Sequence, residues 1–378
     1  MRISRDYSQN AAFLSEKFLG NCKRILYMSP MAIGDYVYQG AFLKALSNKY
    51  PFLEIDLWID DCRASKKLWH AGRNTAMNQW LSSESYINYV YSMPESSAER
   101  DQNIKEAWSK DYDAVVFITT SRISGFASAA LSIVNSGKVF GTTSFSIIDN
   151  VLNYLTYQRL DGKIRIENSF NYHHITDFYQ AIFLRFFSLS VPNKERILKL
   201  NLTTDLTKKS ANKLSYLVRQ HQLENPKTIF INHLSTASKR DWRINQVEML
   251  TLLINKAMPN SLIILNAPPH AYEDLCQWLK NNQKLNSLGI EVFTAKENFF
   301  ELPALMSQCD LVISVETAIM HLASSLNLSQ IALIRESAYR WRPQNNAKVI
   351  LGKKTVDSIS PATVLKAMQA LDVLLPEN

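Results

Sequence analysis

Three residues with hydrogen-bonding side chains, Glu316, Thr317 and His321, lie in and just after a turn that follows an apolar segment. Residues 311–314 have the composition and length of a buried strand, and the apolar residues after the turn follow helical spacing. His321 lies four residues after Thr317, so the two side chains can share one helix face. Open α/β sheets bind ligands at such turns, at the carboxyl ends of strands. This turn is therefore the first candidate binding site.

The chemistry of this turn would suit a phosphorylated sugar. Backbone N–H groups at the start of a helix bind anions, and Glu316 and His321 could bind hydroxyl groups. Taken alone, however, the turn favours a structural interpretation. In that interpretation Thr317 caps the helix, Glu316 interacts with its positive end, and His321 is an ordinary, partly buried histidine.

A second polar loop follows the apolar segment 228–232, which has the alternation of a strand. Hydroxyl donors combined with fixed positive charge form a composition that can hold a diphosphate. A solvated loop without a ligand is an equally simple interpretation. The residues concerned are Ser235, Thr236, Ser238, Lys239 and Arg240.

A third loop follows the strand-like segment 25–28 and contains Gly34 and Asp35. Gly34 has no side chain and so permits a close approach of the backbone to a ligand. Asp35 lies where an N-cap or a carboxylate in the first helical turn is expected. If the loop faces a cleft between domains, Asp35 could act as a general base.

Strand-like and helix-like segments alternate along the chain and predict two doubly wound α/β domains facing a cleft. Pro192 and the polar stretch 201–209 suggest a linker between them. We therefore expect an amino-terminal domain at residues 1–195 and a carboxyl-terminal domain at residues 196–378. Ser360 and Pro361 predict the start of a final helix, which is a candidate for returning to the first domain.

The composition indicates a globular protein with a preference for acidic partners. The 378 residues are 46% hydrophobic and 20% charged, and the net charge is +8 with a pI near 9.1. This charge favours nucleic acid, an anionic membrane or a phosphorylated substrate. Because no basic run with interleaved aromatic residues is present, nucleic acid is the weakest of the three.

The distribution of cysteines and charges predicts a cytoplasmic protein without a metal site. Cys22, Cys62, Cys276 and Cys309 are far apart in sequence and have no metal-binding spacing. Charged residues interrupt the first twenty positions, so we expect no signal peptide, and no apolar run is long enough to span a bilayer. Residues 1–22 show helical spacing without a readable role.

The segment 175–187 contains a stripe of aromatic residues at helical spacing. Such a stripe could press on a membrane. A helix buried in the domain core is the favoured interpretation, because Arg185 interrupts the stripe and no lysine-rich face flanks it.

Four motifs, in order, resemble glycosyltransferase family 9, the ADP-heptose:lipopolysaccharide heptosyltransferases. The resemblance covers residues 25–374. The motifs are Ile33-Gly34-Asp35 with Tyr50-Pro51 at the end of the following helix, Ser238-Lys239-Arg240-Asp241-Trp242, Asp310-Leu311-Val312, and Glu316-Thr317-Ala318-Ile319-Met320-His321-Leu322-Ala323.

This resemblance implies a GT-B fold, in which the domain at residues 1–195 binds the acceptor and the domain at residues 196–378 binds the nucleotide sugar. It also implies an inverting transfer without a covalent intermediate. It implies that Asp35 deprotonates the acceptor hydroxyl, and that Lys239 or Arg240 neutralises the departing diphosphate together with Ser235 and Thr236. The donor pocket would be lined by Gly34, Glu316, Thr317, Ala318 and His321.

The resemblance also implies that no cofactor or metal is needed beyond the nucleotide-sugar substrate, ADP-heptose. The acceptor would be a lipopolysaccharide precursor, and the enzyme would be peripheral at the cytoplasmic face of the inner membrane. A net positive charge fits a phosphorylated glycolipid there.

Several positions depart from the family pattern. Glu316 replaces an aspartate, Ala318 replaces a glycine, and Asp241 is an extra residue before Trp242. The loop 266–270 lacks a glutamate that some members use for the ribose. Two alternatives therefore remain: another nucleotide-sugar donor, and a degenerate GT-B protein that binds glycolipid or a partner without catalysis.

Overall fold

The computed structural model describes residues 12–61, 68–166 and 172–371, and the side chains of 68–71 are not among those described. The chain divides into two compact units, Met1–Leu198 and Lys199–Asn378, where the sequence suggested a boundary between residues 195 and 196. Cys62, residues 1–11 of the expected first helix, and the end of the family resemblance at residues 372–374 lie outside the described residues.

The first unit contains a six-stranded parallel sheet with the strand order β3-β2-β1-β4-β5-β6. Its elements are α1 (Glu16–Asn21), β1 (Arg24–Met28), α2 (Ile33–Lys49), β2 (Glu54–Trp58), α3 (Leu68–Leu81), β3 (Tyr89–Tyr91), α4 (Ser97–Ser109), β4 (Ala114–Phe117), α5 (Ile123–Ile133), β5 (Lys138–Ser144), α6 (Ile147–Leu152), α7 (Tyr154–Gln158), β6 (Gly162–Ile166) and α8 (Ile175–Phe187).

The second unit contains another six-stranded parallel sheet, with the order β12-β11-β10-β7-β8-β9. Its elements are α9 (Thr204–Gln220), β7 (Lys227–Asn232), α10 (Ile244–Ala257), β8 (Ser261–Asn266), α11 (Tyr272–Asn281), β9 (Ile290–Phe293), α12 (Glu301–Met306), β10 (Leu311–Val315), α13 (Ala318–Ser325), β11 (Gln330–Arg335), β12 (Ala347–Gly352) and α14 (Pro361–Gln369).

Both sheets reverse their strand order at equivalent places, which defines where ligands are expected. In the first unit the reversal lies between β1 and β4, where Met28 pairs with Phe117. In the second it lies between β7 and β10, where Asn232 pairs with Ser314. Ligands of open α/β sheets bind at this switch point, beyond the carboxyl ends of the strands. The three polar turns found in the sequence follow β1, β7 and β10.

The central strands are continuous apolar runs because helices cover both faces of a parallel sheet. All four residues of β4 and all five of β10 are buried. The core of the second unit combines these strands with α10 and α14, which pack against each other. The final helix thus contributes to the second unit's core through Val364, Ala367 and Met368.

The aromatic helix α8 is buried in the first unit, which confirms the core interpretation of residues 175–187. The Phe183 ring stacks on Phe42 of α2 with centroids 5.0 Å apart and also stacks on Tyr27 of β1. Phe186 and Phe187 are fully buried. Because α8 covers α2, it encloses the helix that carries Asp35.

The expected linker at 201–209 is wrong over residues 204–209, since α9 begins at Thr204. Thr203 caps this helix by accepting a hydrogen bond from the Leu206 N–H, at 3.4 Å. The first turns of α9 are exposed to solvent, so polar residues can form them without an apolar face. Among the residues that the structure describes, no helix combines the length and apolar character needed to cross a membrane.

Candidate active site

A network of amide and hydroxyl groups joins the carboxyl ends of three adjacent strands in the second unit. The Asn266 Nδ2 donates to Asn232 Oδ1 at 2.9 Å. The Asn232 Nδ2 in turn lies 3.1 Å from Thr317 Oγ1 and 3.3 Å from Ser314 Oγ. These groups connect β8, β7 and β10 at the switch point and hold the loop after β7 beside the turn before α13.

Thr317 caps α13, as the structural interpretation of this turn predicts. Its Oγ1 accepts a hydrogen bond from the Ile319 N–H at 3.3 Å, with Thr317 in an extended conformation. An N-cap and a ligand site are compatible, because a helix start offers several N–H groups and the cap occupies one of them. Ala318 is the first residue of the helix and is partly exposed.

Glu316 forms a bidentate ion pair with Arg335, the last residue of β11. The Arg335 Nη2 donates to Glu316 Oε1 at 2.6 Å, and Nε donates to Oε2 at 3.0 Å. The backbone N–H of Arg335 also points to Oε2, at 3.4 Å. Both side chains are largely buried, and the hydrogen bond to Glu316 raises the pKa of the guanidinium. Glu316 is therefore held rigidly, with room on Oε1 for one more donor.

His321 lies on α13 and is buried, with an exposed fraction of 7%. Its ring meets Trp341 edge-on, with centroids 6.1 Å apart. This burial agrees with the structural interpretation of the histidine. A ligand could therefore reach only a small part of His321.

The loop after β7 is folded onto itself by Ser235 and Asp241. Asp241 Oδ1 accepts from the Ser235 N–H at 2.6 Å. The Ser235 hydroxyl donates to Ala237 O at 2.8 Å and accepts from Ala237 N at 3.0 Å. Asp241, the extra residue relative to the family pattern, thus shapes the loop, and the Ser235 hydroxyl hydrogen is used within it.

In this loop, the Thr236 hydroxyl and the Arg240 guanidinium lie side by side. The Arg240 Nη2 donates to Thr236 Oγ1 at 2.8 Å. Arg240 is half-buried, while Lys239 is exposed. Both cations lie in the 3₁₀ turn Ser238–Arg240, and the hydrogen bond to Thr236 holds the arginine side chain against the loop.

Trp242 and His233 close the base of this loop. The Trp242 N–H donates to His233 O at 2.9 Å, and the Trp242 indole N–H donates to Ile359 O at 2.9 Å. His233 Nδ1 lies 2.8 Å from Trp242 O; because a carbonyl only accepts, Nδ1 carries the hydrogen. Burial lowers the pKa of His233, so the ring is neutral and its buried Nε2 is an acceptor.

Asp35 lies in the first turn of α2, directly after β1. Its Oδ2 accepts from the Ala32 N–H at 3.0 Å, which fixes the carboxylate at the helix start. Burial raises the pKa of Asp35 to about 6, and the Ala32 hydrogen bond and the charge of Arg73 act in the opposite direction. A carboxylate with a raised pKa at a helix start is suited to accept a proton near neutral pH. Gly34 precedes it within the helix.

The groups around Asp35 form a buried, hydrogen-bonded aromatic cluster. The Tyr27 hydroxyl donates to Gln39 Oε1 at 2.7 Å, and Gln39 Nε2 donates to the Tyr179 hydroxyl at 3.0 Å. Burial, reinforced by the Asp35 charge, raises the pKa of both tyrosines, which therefore stay protonated. Burial beside these groups is the cause of the raised pKa of the carboxyl group.

The structure brings two of the three predicted turns together within the second unit, through the contact between Asn232 and Thr317. Sequence reasoning missed Asn232, Asn266 and Arg335. All three stand at the carboxyl end of a strand, and that position was the available signal. Across residues 12–61, 68–166 and 172–371, no cluster of three or more potential metal ligands is found.

Comparison with known proteins identifies the chain's relatives. The sequence profile of glycosyltransferase family 9 (heptosyltransferase) matches residues 102–363, well over half of the chain. No curated protein sequence matches significantly.

Solved structures share the fold at low sequence identity. The crystal structure of a glycosyl transferase family 9 protein from Veillonella parvula is 17% identical, covers 93% of this chain and 97% of its own, and has a TM-score of 0.71. The E. coli ADP-heptose lps heptosyltransferase II is 18% identical over 93% and 98%, with a TM-score of 0.65. The E. coli heptosyltransferase WaaC with ADP-2-deoxy-2-fluoro heptose is 15% identical over 92% and 99%, with a TM-score of 0.62.

These similarities confirm the predicted GT-B fold, with two doubly wound units. They also confirm the enzyme class inferred from the motifs, a glycosyltransferase. The chain therefore belongs to glycosyltransferase family 9, the heptosyltransferase family.

Proposed function

We propose that this glycosyltransferase transfers a heptose from ADP-heptose to the inner core of a nascent lipopolysaccharide or lipooligosaccharide. The family match supports a heptosyl donor. The observation that carries the proposal is the polar network at the switch point of the second unit, which joins the loop after β7 to the turn before α13. The reaction takes place at the cytoplasmic face of the inner membrane, where the lipid-anchored acceptor is presented.

The donor diphosphate binds to the loop after β7. Arg240 is the main cation, because its guanidinium is already held beside the Thr236 hydroxyl at 2.8 Å and can form two parallel hydrogen bonds to phosphate oxygens. Lys239 is exposed and acts as a more distant positive charge. Ser235 contributes by shaping the loop.

The sugar or ribose hydroxyls of the donor bind beside Glu316 and His321. Arg335 fixes the longer side chain of glutamate, so the extra methylene does not leave the carboxylate free to rotate. Glu316 Oε1 then accepts one hydroxyl. Glu316 thus supplies the negative charge that the family's aspartate would supply in this turn.

Asp35 is the general base. Its carboxylate takes the proton of the acceptor hydroxyl while the oxygen attacks the anomeric carbon and the bond to the β-phosphate of ADP breaks. ADP leaves with the electron pair, so atoms and charges balance in one inverting step. With a pKa of about 6, Asp35 is ionised at neutral pH and more basic than an ordinary aspartate.

The test of the donor is thermal stabilisation of the purified protein by ADP-heptose, ADP, UDP-sugars and GDP-sugars at equal concentration. A ligand at about a hundred times its Kd adds about 2.7 kcal/mol to the free energy of unfolding. Stabilisation by ADP-heptose and ADP alone supports the proposal. Stronger stabilisation by UDP-sugars or GDP-sugars would mean that the donor is one of these and not ADP-heptose. No stabilisation by any of the ligands would overturn the transferase proposal.

The two cations of the loop are separated by matched variants. We expect Arg240→Ala to weaken ADP binding about 10- to 100-fold, because a bidentate charged hydrogen bond to phosphate is lost. Lys239→Ala should weaken it less than about threefold, since an exposed, screened charge contributes little. Calorimetric titration measures the ADP affinity of both variants. A larger loss of affinity in Lys239→Ala than in Arg240→Ala would mean that Lys239 is the main cation that binds the diphosphate.

A second candidate function is binding of a glycolipid or partner without catalysis. The observation in its favour is that both residues already have structural roles, Glu316 in the ion pair with Arg335 and Thr317 as the helix cap. Turnover of ADP-heptose with a lipopolysaccharide precursor, measured as release of ADP, decides between the two. ADP release that depends on the acceptor excludes the non-catalytic alternative.

A further inference from the structure

The first unit exposes a patch of large apolar side chains on α6 and α7. Five aliphatic residues of these helices are each between 70% and 80% exposed, although apolar side chains of this size usually lie in the core. Two partly exposed aromatic residues extend the patch. This surface, called the α6–α7 face below, consists of Phe145, Ile147, Ile148, Val151, Leu152, Tyr154 and Leu155.

Several polar groups of these helices are used in hydrogen bonds within the first unit. The Asp149 carboxylate accepts hydrogen bonds from the buried Tyr157 hydroxyl at 2.9 Å and from Asn153 Nδ2 at 3.0 Å. Ser146 caps α6 by accepting from the Asp149 N–H at 3.3 Å. The helices are therefore formed and capped while their apolar side stays in solvent.

Positive charge flanks the α6–α7 face. Arg159, Lys163 and Arg165 are exposed, and the Arg165 guanidinium lies over the Phe145 ring at 5.6 Å. The nearby Asp161 binds the Val139 N–H at 2.8 Å at the start of β5, and Asp149 is held by Tyr157. Apolar side chains with a basic border and engaged carboxylates are the profile of a segment that lies in a membrane interface.

We propose that the α6–α7 face is the surface by which this protein binds an anionic phospholipid bilayer. The aliphatic side chains enter the interface between headgroups and acyl chains, Phe145 and Tyr154 lie at headgroup level, and Arg159, Lys163 and Arg165 contact lipid phosphates. This rests on the proposed function in one respect: a lipid-anchored acceptor gives the enzyme a reason to be at a membrane. The face lies on the same unit as Asp35, the proposed base that receives the acceptor's proton.

The experiment is flotation of the full-length protein with vesicles of phosphatidylglycerol and phosphatidylethanolamine, and with vesicles of phosphatidylcholine alone. We expect the protein to bind the anionic vesicles. The double variant Ile147→Ser/Leu155→Ser should bind them at least about tenfold more weakly, since two exposed apolar side chains no longer enter the interface. Phe52→Ser is the matched control, because Phe52 is 94% exposed outside the face, and it should bind as the unmodified protein does.

The charged border is tested by Arg159→Glu/Arg165→Glu. This variant should lose the preference for anionic over neutral vesicles, and added salt should then have little further effect. Unchanged binding of the Ile147→Ser/Leu155→Ser variant, or no vesicle binding by the unmodified protein, would overturn the proposal. A fall in oligomeric mass in the same variant, seen by light scattering, would assign the face to a second copy of the chain and overturn it as well.

The vesicles contain neither donor nor acceptor, so the result is independent of the transferase proposal. Stabilisation by ADP is measured on every variant in parallel. A variant that loses vesicle binding but is still stabilised by ADP tests only the role of the α6–α7 face. If ADP does not stabilise the unmodified protein, that result contradicts only the proposed function.

Discussion

At the scale of single residues, the environment of Asp35 has the clearest chemical consequence. The carboxylate is anchored by the Ala32 N–H and surrounded by buried aromatic groups. The cost of burying its charge raises its pKa, which makes it a stronger base than a solvated aspartate. Catalytic groups are often held in such unfavourable environments.

We predict that Asp35→Asn lowers kcat by about 100- to 10,000-fold while leaving the affinity for ADP unchanged, because a general base acts in the transition state. In the unmodified enzyme, kcat/KM should rise with pH up to about pH 6, as Asp35 loses its proton, and then level off. Steady-state kinetics across pH and calorimetric ADP binding measure the two effects. Equal losses in kcat and in ADP affinity would contradict the assignment.

The same substitution should stabilise the folded protein at neutral pH. The pKa of Asp35 is higher in the folded chain, about 6, than the ordinary 3.8, so the folded state favours the protonated form. The stability that this carboxyl group contributes is present below its unfolded pKa and is lost as the pH rises through about 6. Asparagine carries no charge and can still accept the Ala32 hydrogen bond.

At about pH 8, Asp35→Asn should therefore have a free energy of unfolding that is higher than that of the unmodified protein by an amount on the order of 1–3 kcal/mol, and it should unfold at a higher temperature. The difference should shrink at about pH 4, where the carboxyl group is protonated in the folded chain and only partly ionised in the unfolded chain, and it should vanish well below pH 3.8. Thermal denaturation at the two pH values checks this. A destabilised variant at the higher pH would show that the ionised form is favoured in the fold.

At the scale of elements, the loop between β7 and α10 depends on its own internal hydrogen bonds. Asp241 holds the Ser235 N–H, and Trp242 fixes the base of the loop to His233 and Ile359. The loop is thus preorganised before a ligand arrives, which reduces the ordering cost of binding.

We predict that Asp241→Ala weakens ADP binding about 3- to 30-fold with little effect on overall stability, because the loop loses the acceptor for Ser235 N–H. Asp241→Asn is the matched control, since its side-chain oxygen can accept the same bond, and it should bind ADP within about threefold of the unmodified protein. Calorimetry gives the affinities. Equal binding by all three proteins would mean that Asp241 has no part in shaping the donor site.

At the scale of the whole molecule, each unit has its own six-stranded sheet and its own apolar core. The second unit contains both turns assigned to the donor, and its final helix packs on α10 within the same unit. A region of this size with a complete core is expected to fold by itself.

We therefore predict that residues 199–378 expressed alone fold cooperatively and bind ADP. Circular dichroism during thermal unfolding and ADP calorimetry are the measurements. The same segment with Arg240→Ala serves as the control, and it should fold but bind ADP weakly. A segment that folds without binding ADP would show that the donor site needs groups from the first unit.

Much of the fold follows from local patterns in the chain. The buried runs at β4, β7 and β10 identify parallel strands, and Ser360 with Pro361 identifies the start of α14. The beginning of α9 was missed, because its exposed first turns carry no apolar periodicity. Local patterns are less clear over residues 145 to about 200, apart from the helix at 175–187, and part of that stretch forms α6, α7 and β6.

The sequence by itself determined the fold class, the family and the turns that carry polar residues, because these depend on residue types a few positions apart. Only the tertiary structure decided how the polar groups are used. Glu316 pairs with Arg335 nineteen positions later, and Asn232 reaches Thr317 across eighty-five positions. The apolar residues of α6 and α7 look like core residues in sequence, yet they face solvent. Pairing and exposure depend on which elements the sheet topology brings side by side, and that information is not local.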